Sequence, residues 1–218
     1  MNYRELKVLC FTPSYNRYKM VRECIFGISY QSYKNTFHSI NVAHDKDSKY
    51  IEKLFDDIQI PNIRITYNIN SNQQQNYMRC FEGIDIDTFD LFVKIDDDDI
   101  YKKDYVKNIV NFFLNNKDTD IVSSKITYQL NNNKMYTTRG ENLGGNPEGS
   151  SFKMPMTFAF NIKALKAIIS LKVNYFEDIV WRNTWHSLGL KHCEIDNSKN
   201  IIWNIHGKNI STSEFLNK

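Results

Sequence analysis

The chain has 218 residues, of which 41% are hydrophobic and 24% charged, and this is the composition of an ordinary globular protein. The length predicts one domain with a well-filled core. The net charge of +3 is too small to indicate a nucleic-acid partner. It is compatible with peripheral contact with an anionic membrane, without predicting it.

Hydrophobic periodicity predicts strands that alternate with helices through the first half of the chain. The predicted strands are 6–12, 37–45, 62–69, 90–95, 120–130 and 201–207. The predicted helices are 17–31, 48–58, 71–84, 102–116 and 177–189, with Ser48 and Ser71 as candidate N-caps. Residues 131–140 read as a hairpin arm, and 157–169 as a strand followed by a helix. This alternation predicts an α/β fold with a mainly parallel sheet flanked by helices, and a less regular second half.

No apolar stretch reaches the roughly 18 residues of a membrane span, and the first residues lack the apolar core of a signal peptide. The four cysteines form no C-x-x-C pair, so they indicate neither a zinc site nor a redox pair. We therefore expect a cytoplasmic protein whose thiols are reduced and mostly buried.

The most unusual feature is a run of four aspartates directly after the apolar strand 90–95, in the segment FVKIDDDDIYKKDYV. Ligands of open α/β sheets bind beyond the carboxyl ends of strands. If the run is extended, Asp96 and Asp98 lie on one side and Asp97 and Asp99 on the other. Two converging carboxylates repel each other unless a cation lies between them, and oxygen-only ligands suit Mg²⁺ or Mn²⁺. The alternative is a solvated acidic loop that caps the next helix.

Two further strand ends carry residues that suit a nucleotide. The first strand ends in TPSYNR, where Tyr15 can stack on a base and Asn16 and Arg17 can reach phosphate or ribose. Asp45 follows the second strand and can accept a hydrogen bond from a base or a ribose hydroxyl. The chain has neither G-x-G-x-x-G nor G-x-x-x-x-G-K-[ST], which argues against dinucleotide and P-loop sites. An ordinary Pro-Ser turn and a helix-capping Asp45 are the alternatives.

Three features of the second half are also candidates. Glu177 and Asp178 open a helix, where acids are common because they complement the helix dipole; near a metal site such a carboxylate can instead act as a general base. His206 ends the last strand, and a lone histidine there is ordinarily structural. The loop 140–151 is rich in glycine.

Taken in chain order, FTPSYNR, Asp45, KIDDDDIYKKDYV, FED and IHGKNIS together resemble the GT-A glycosyltransferases, most closely the inverting family 2 type. The resemblance spans about residues 6–211. It implies a GT-A fold, which is a Rossmann-like nucleotide-diphospho-sugar transferase fold, with a small antiparallel element in the second half. It also implies one domain, 1–218, with a nucleotide-binding half, 1–100, and an acceptor-binding half, 101–218.

The implied reaction is Mn²⁺- or Mg²⁺-dependent transfer of a sugar from a nucleotide-diphosphate sugar to an acceptor hydroxyl. UDP is favoured as the nucleotide because Tyr15 resembles the uracil-stacking residue and Asp45 the base-recognising acid. The acceptor would be a glycan or glycolipid, and the displacement would invert the sugar's configuration.

The resemblance also assigns roles to individual residues. Asp178 matches the catalytic base. Asp98 and His206 match metal ligands. The implied nucleotide-binding residues are Thr12, Pro13, Tyr15, Arg17, Asp45, Asp96 and Asp97. Further candidates are Asn16, Gln73, Arg79, Lys94, Asp99, Glu177, Arg139 and Lys208.

Within the run, Asp97 falls at the family's variable position, so its replacement is expected to be tolerated whereas replacement of Asp98 is not. The chain departs from the pattern where His44 replaces a common aspartate and where NSNQQQNYMRC lacks the usual glycine.

Two other functions remain as alternatives. A sugar-nucleotidyltransferase would open with a G-x-G-T-R loop after its first strand, and TPSYNR lacks it. A non-catalytic nucleotide-sugar-binding module would be expected to have lost some of the motif acids, and all of them are present.

Overall fold

The computed structural model describes residues 5–45, 49, 52–69, 73–125, 127–130, 134–137, 158–171 and 177–205. The α-helices in these ranges are α1 (Tyr18–Ser29), α2 (Gln73–Phe81), α3 (Tyr105–Asn115), α4 (Ile162–Ile168) and α5 (Glu177–Ser187). The first strands are β1 (Val8–Tyr15), β2 (Thr36–His44), β3 (Ile63–Ile69), β4 (Leu91–Lys94), β5 (Ile100–Tyr101) and β6 (Ile121–Lys125). The remaining strands are β7 (Thr127–Leu130), β8 (Lys134–Thr137), β9 (Ala159–Asn161), β10 (His192–Asp196) and β11 (Ile201–Ile205).

In the described part of the chain, seven strands form one sheet in the order β10-β6-β9-β4-β1-β2-β3. Its neighbours are parallel except at β9, which runs antiparallel to both β4 and β6. A second sheet has the order β5-β11-β7-β8, with antiparallel pairs at its two ends and a parallel pair between them. The mainly parallel sheet and the small, largely antiparallel element are thus confirmed.

The central strand β1 is buried on both faces, and its side chains alternate between two cores. Val8 and Cys10 face a cluster built with α1 and α3. Leu9 and Phe11 face an aromatic cluster built with α2, α4 and α5. Because every face of this strand is covered, its sequence is a continuous apolar run, as is usual in parallel sheets.

The aromatic cluster fixes the position of α5 against the sheet. Trp181 and Trp185 are buried in it, and the Trp185 indole N–H donates to the Ala164 carbonyl oxygen of α4 at 2.8 Å. Asp178 lies one turn before Trp181 on the same side of the helix. The packing of the two tryptophans therefore carries the acid towards the sheet.

Several element predictions are wrong in detail. Residues 53–57, which were predicted as helix, form turns. The predicted strand 120–130 is split into β6 and β7, which belong to different sheets. The strands β5 and β10 were missed, because β5 has two residues and β10 is an edge strand with the polar sequence HCEID. Ser48 and Ser71 lie outside the described residues.

The four cysteines are free, and three of them are fully enclosed, as expected. Burial raises the pKa of Cys10 and of Cys80 to about 12, so these thiols are unreactive at neutral pH. Within the ranges that the structure describes, no helix has the length and apolar character required to cross a membrane.

His38 makes the stability of the fold depend on pH. Its ring is buried in β2, with Nε2 at 2.8 Å from the Thr12 hydroxyl and Nδ1 without a hydrogen-bond partner. Burial lowers the pKa of His38 from 6.5 to about 3. Between these values the unfolded chain binds the proton and the folded chain does not, so stability is lost as pH falls below 6.5.

We expect the free energy of unfolding to fall by about 1.4 kcal/mol more in the wild type than in His38→Gln between pH 7.5 and pH 5.5. The glutamine amide keeps a partner for Thr12 but does not titrate, so the variant removes only this contribution. Urea unfolding of both proteins at the two pH values gives the comparison. Equal pH dependence in both would show that His38 binds its proton as readily in the folded protein as in the unfolded chain.

Candidate active site

The carboxyl ends of β1 and β2 join three polar side chains into one corner. The parallel register places Tyr15 beside Ala43, and Asn16 reaches Asp45 just beyond. Asn16 has a φ of 56°, a left-handed conformation that asparagine tolerates well, and its N–H donates to the Ala43 carbonyl at 3.0 Å. The structure thus brings together the residues that the sequence placed at two separate strand ends.

Asp45 is the acceptor at the centre of this corner. Its carboxylate accepts from the Tyr15 hydroxyl and from Asn16 Nδ2 at 2.7 Å, and its own N–H donates to Asn16 Oδ1 at 3.2 Å. The hydrogen bonds from Tyr15 and Asn16 lower the pKa of Asp45, which keeps it ionised. Tyr15 is 44% exposed, so its ring is available to a ligand from solvent.

The aspartate run is a turn, and the expected alternation of its side chains is wrong. Residues 97 and 98 are in the turn, and the Asp96 N–H donates to the Tyr101 hydroxyl at 2.9 Å as the chain enters β5. Arg17 Nη1 donates to Asp97 at 3.0 Å and to Asp98 at 2.8 Å. Asp97 and Asp98 therefore share one cation instead of facing opposite sides.

Asp97 is held more firmly than a variable position would suggest. Its side chain is 4% exposed, and it accepts from the Ser14 hydroxyl at 2.5 Å in addition to Arg17. Ser14 is a site residue that the sequence reasoning missed, although it lies inside the motif TPSYNR. Replacement of Asp97 is therefore expected to destabilise the fold, whereas its effect on activity stays a prediction.

Lys94, at the end of β4, joins the aspartate run to α5. Its Nζ lies 3.0 Å from Asp96 Oδ1 and 3.5 Å from Asp178 Oδ1, and 5.7 Å from the centre of the Tyr77 ring. The Lys94 side chain is 3% exposed. Asp178 thus reaches the same edge of the sheet as the aspartates, from a helix more than 80 residues further along the chain.

This edge holds more acid than base. Burial, with repulsion from Asp98, raises the pKa of Asp97 to about 7 although Arg17 and Ser14 oppose the shift. Burial, with repulsion from Asp98 and Asp178, raises the pKa of Asp96 to about 6 although Lys94 opposes it. The charged forms of these acids would be stabilised by a further cation.

The donor set fits a hard divalent cation. No group of three or more His, Cys, Asp or Glu side chains converges among the described residues. Mg²⁺ in nucleotide sites is usually held by one or two carboxylates and by the substrate's phosphates, so Asp96 and Asp98 are sufficient in type and number. His206, the other predicted ligand, lies outside the described residues, as do Arg139, Lys208 and the loop 140–151.

The side chains of two candidate donor-site residues, Thr12 and Arg79, make other contacts in the structure. The Thr12 side chain is fully buried and bonded to His38, so it is not available to a nucleotide. Arg79 is exposed, and its guanidinium pairs with the Glu82 carboxylate at 2.7 Å. Arg64, near the start of β3, donates a hydrogen bond to the Glu82 carbonyl oxygen. That end of α2 is at the amino edge of the sheet, opposite the acids.

The structure leaves the other candidates as follows. Pro13 is partly buried within β1, and Asp99 is buried in the aspartate turn. The side chains of Gln73 and Glu177 lie outside what the structure describes, although both residues are helical.

A buried amide network behind the corner was also missed. Asn41 Nδ2 donates to Asn68 Oδ1 at 2.7 Å and to Asn76 Oδ1 at 3.1 Å, and Asn76 Nδ2 donates to the Ser14 carbonyl at 3.4 Å. This network supports the end of β1. The available signal was an asparagine inside the otherwise apolar strand INVA.

The sequence matches the family described as Glycosyl transferase family 2 over residues 10–170, most of its length. The chain belongs to this family. No curated protein matches it by sequence. The predicted family is therefore confirmed by a match that includes the Tyr15–Asp45 corner and the aspartate run.

Solved structures with the GT-A fold match most of the chain. A structure of S. aureus TarS 1–349 in complex with UDP-GlcNAc superposes with a TM-score of 0.71 at 15% identity, over 95% of this chain and 61% of that one. The mannosyltransferase PcManGT from Pyrobaculum calidifontis, in complex with GDP-Man and Mn²⁺, gives a TM-score of 0.65 at 12% identity, over 95% and 59%. The likeness confirms the predicted GT-A fold, and this chain spans about 60% of the length of either structure.

We expect Asp97→Ala to lower the free energy of unfolding by about 1.5–3 kcal/mol, because Ser14 loses its buried acceptor and Arg17 loses one of its two. Asp97→Asn keeps the shape and one acceptor oxygen, so its loss should be less than half as large. Chemical denaturation of the two variants and the wild type measures both effects. An Asp97→Ala protein as stable as the wild type would restore the interpretation of Asp97 as a variable position.

Proposed function

We propose that this chain is a metal-dependent, inverting glycosyltransferase that transfers a sugar from a UDP-sugar to an acceptor hydroxyl. The observation that carries the proposal is the ion pair of Lys94 with Asp96 and Asp178 at 3.0 and 3.5 Å. It supports Asp178 as the base, because this acid of α5 lies close to Lys94 and Asp96 at the end of β4. Ligands of open α/β sheets bind at this edge.

The corner accounts for the nucleotide. In this proposal the Tyr15 ring stacks on uracil, and the ionised Asp45 accepts a hydrogen bond from the base N–H. That bond replaces one of the two that Asp45 accepts from Tyr15 and Asn16. TarS has been solved with UDP-GlcNAc and PcManGT with GDP-Man, which supports a nucleotide-sugar donor without deciding the base. The preference for uridine therefore rests on Tyr15 and Asp45.

Asp178 would act as the general base. The acceptor hydroxyl gives its proton to the Asp178 carboxylate while its oxygen bonds to the anomeric carbon. The bond from that carbon to the diphosphate oxygen breaks, and the nucleoside diphosphate leaves with the electron pair. Attack from the face opposite the leaving group inverts the configuration. A positioned base contributes about 10²–10⁴ in rate.

Charge on the leaving diphosphate is balanced from the aspartate edge. A Mn²⁺ or Mg²⁺ ion held by Asp96 and Asp98 would neutralise that charge when bound. Arg17 lies against Asp97 and Asp98, within reach of the same groups. In this proposal residues 1–100 bind the nucleotide and residues 101–218 the acceptor, a hydroxyl of a glycan or glycolipid.

We expect Asp178→Asn to lower kcat by more than about 100-fold, because the amide does not accept the proton, while the Kd for UDP changes little. Released UDP and the anomeric configuration of the product are measured by mass spectrometry and NMR. Asp56→Asn, an exposed acid elsewhere, is the matched control. Full transfer by Asp178→Asn, or a product that retains configuration, would contradict the assigned base.

We also expect UDP to raise the melting temperature only when Mn²⁺ or Mg²⁺ is present, because the diphosphate and the aspartates share the ion. A thermal-shift series with UDP, GDP, dTDP and CTP, with and without metal, measures this. A larger shift with CTP and a sugar phosphate would favour a sugar-nucleotidyltransferase. The absence of any shift would favour a module without catalytic activity.

A further inference from the structure

Lys94 is buried at the reaction edge, yet the chemistry above gives it no role of its own. We propose that Lys94 is a positioning residue that holds Oδ1 of Asp178, so that Oδ2 is the oxygen that takes the acceptor's proton. The inference rests on the proposed function, in which Asp178 is the base. It adds which atom of the base reacts and which residue determines that choice.

The contacts at Asp178 separate its two carboxylate oxygens. Oδ1 is buried and has no hydrogen-bond partner, and its ion pair with Lys94 at 3.5 Å supplies its positive neighbour. The side chain as a whole is 26% exposed. With Oδ1 covered, Oδ2 is the oxygen that an acceptor arriving from solvent can reach.

The position of Lys94 is fixed from both sides. Its backbone N–H donates to the Phe158 carbonyl at 2.9 Å, and the β1 register places it beside Phe11. On the other side, Trp181 and Trp185 hold α5 in the aromatic cluster. The Lys94 ammonium therefore links β4 to α5, two elements fixed by packing, and this contact defines the direction of the Asp178 carboxylate.

A cation in this place has no simple packing reason. The side chain is 3% exposed in a predominantly apolar layer, where an unbranched apolar residue would fill a similar volume. A buried ion pair is weak evidence for stability, because apolar replacements are often neutral or stabilising. The ring of Tyr77 and the bidentate contact to Asp96, at 3.0 and 3.2 Å, offset the burial of the charge.

The charged and titratable groups around Asp178 determine what removal of Lys94 does. Lys94 ends β4 and Asp96 follows that strand, Tyr77 lies on α2 with its ring near the ammonium, and Arg182 is one turn after Asp178 on α5. Without Lys94 the Asp178 carboxylate would lose its positive neighbour, and nothing named above would hold Oδ1 in place.

The test uses three variants of the full chain: Lys94→Met, Lys94→Gln and Lys94→Arg. Initial rates of transfer are measured from pH 5 to pH 9 at saturating donor, together with KM for the donor and Kd for UDP. We expect the two neutral variants to lower kcat by roughly tenfold to 100-fold, the size of effect that misplacing a reacting group produces. KM and Kd are read separately from kcat, because Lys94 also contacts Asp96 and its loss can change donor binding as well.

Rescue by arginine separates positioning from packing. Lys94→Met and Lys94→Gln should lose kcat across the pH range, and Lys94→Arg, which restores a cation beside Asp178, should recover part of kcat. Lys94→Gln retains polar contacts to both acids, so it keeps the test valid if the methionine variant does not fold. A loss of kcat that arginine does not recover, or a wild-type kcat in both neutral variants, would overturn the inference.

Asp178→Asn, measured in parallel, separates an error about Lys94 from an error about the base. If it abolishes transfer while the Lys94 variants keep the wild-type kcat, only the role of Lys94 is wrong. If Asp178→Asn retains transfer, the assigned base is wrong and the inference falls with it.

Discussion

The parallel pairing of β1 with β2 and β4 is the constraint on which the site depends. β1 is covered on both faces, and its side chains alternate between the two cores. A slip of one residue in its pairing would move every buried side chain of the strand into the opposite core. The register that results places Tyr15 beside Ala43 and Phe11 beside Lys94. The ends of three strands, and the polar residues that follow them, thereby meet at one edge.

That edge concentrates charge in a way that burial alone would disfavour. The raised pKa values of Asp96 and Asp97 measure the cost of placing neighbouring acids in partly enclosed positions. Two cations offset part of it, Lys94 between Asp96 and Asp178, and Arg17 between Asp97 and Asp98. Perturbed acids of this kind are typical of sites whose charge is completed by a ligand.

Membership of Glycosyl transferase family 2 rests on residues 10–170, whereas the candidate base lies beyond that match, on α5. The structure connects the two parts, because α5 packs through its tryptophans against the sheet that carries the family's strand ends. The GT-A neighbours extend well past the length of this chain, and their donors differ in base and sugar. The neighbours therefore show the fold, and the roles of Tyr15, Asp45 and Lys94 stay predictions.

The sequence by itself determined the order of the main strands and helices, the parallel sheet and the placement of the acids at strand ends. These follow from local patterns, because apolar runs and helical spacing are set by residues a few positions apart. The same reasoning failed where the answer depended on distant residues. The alternation of the aspartates assumed an extended chain, but contacts with Ser14 and Arg17, some 80 residues away, hold them in a turn. Only the tertiary structure could also show that the Thr12 hydroxyl is hydrogen-bonded to His38 and that Arg79 lies at the amino edge of the sheet, away from the acids. The same holds for the link that Lys94 makes between Asp96 and Asp178.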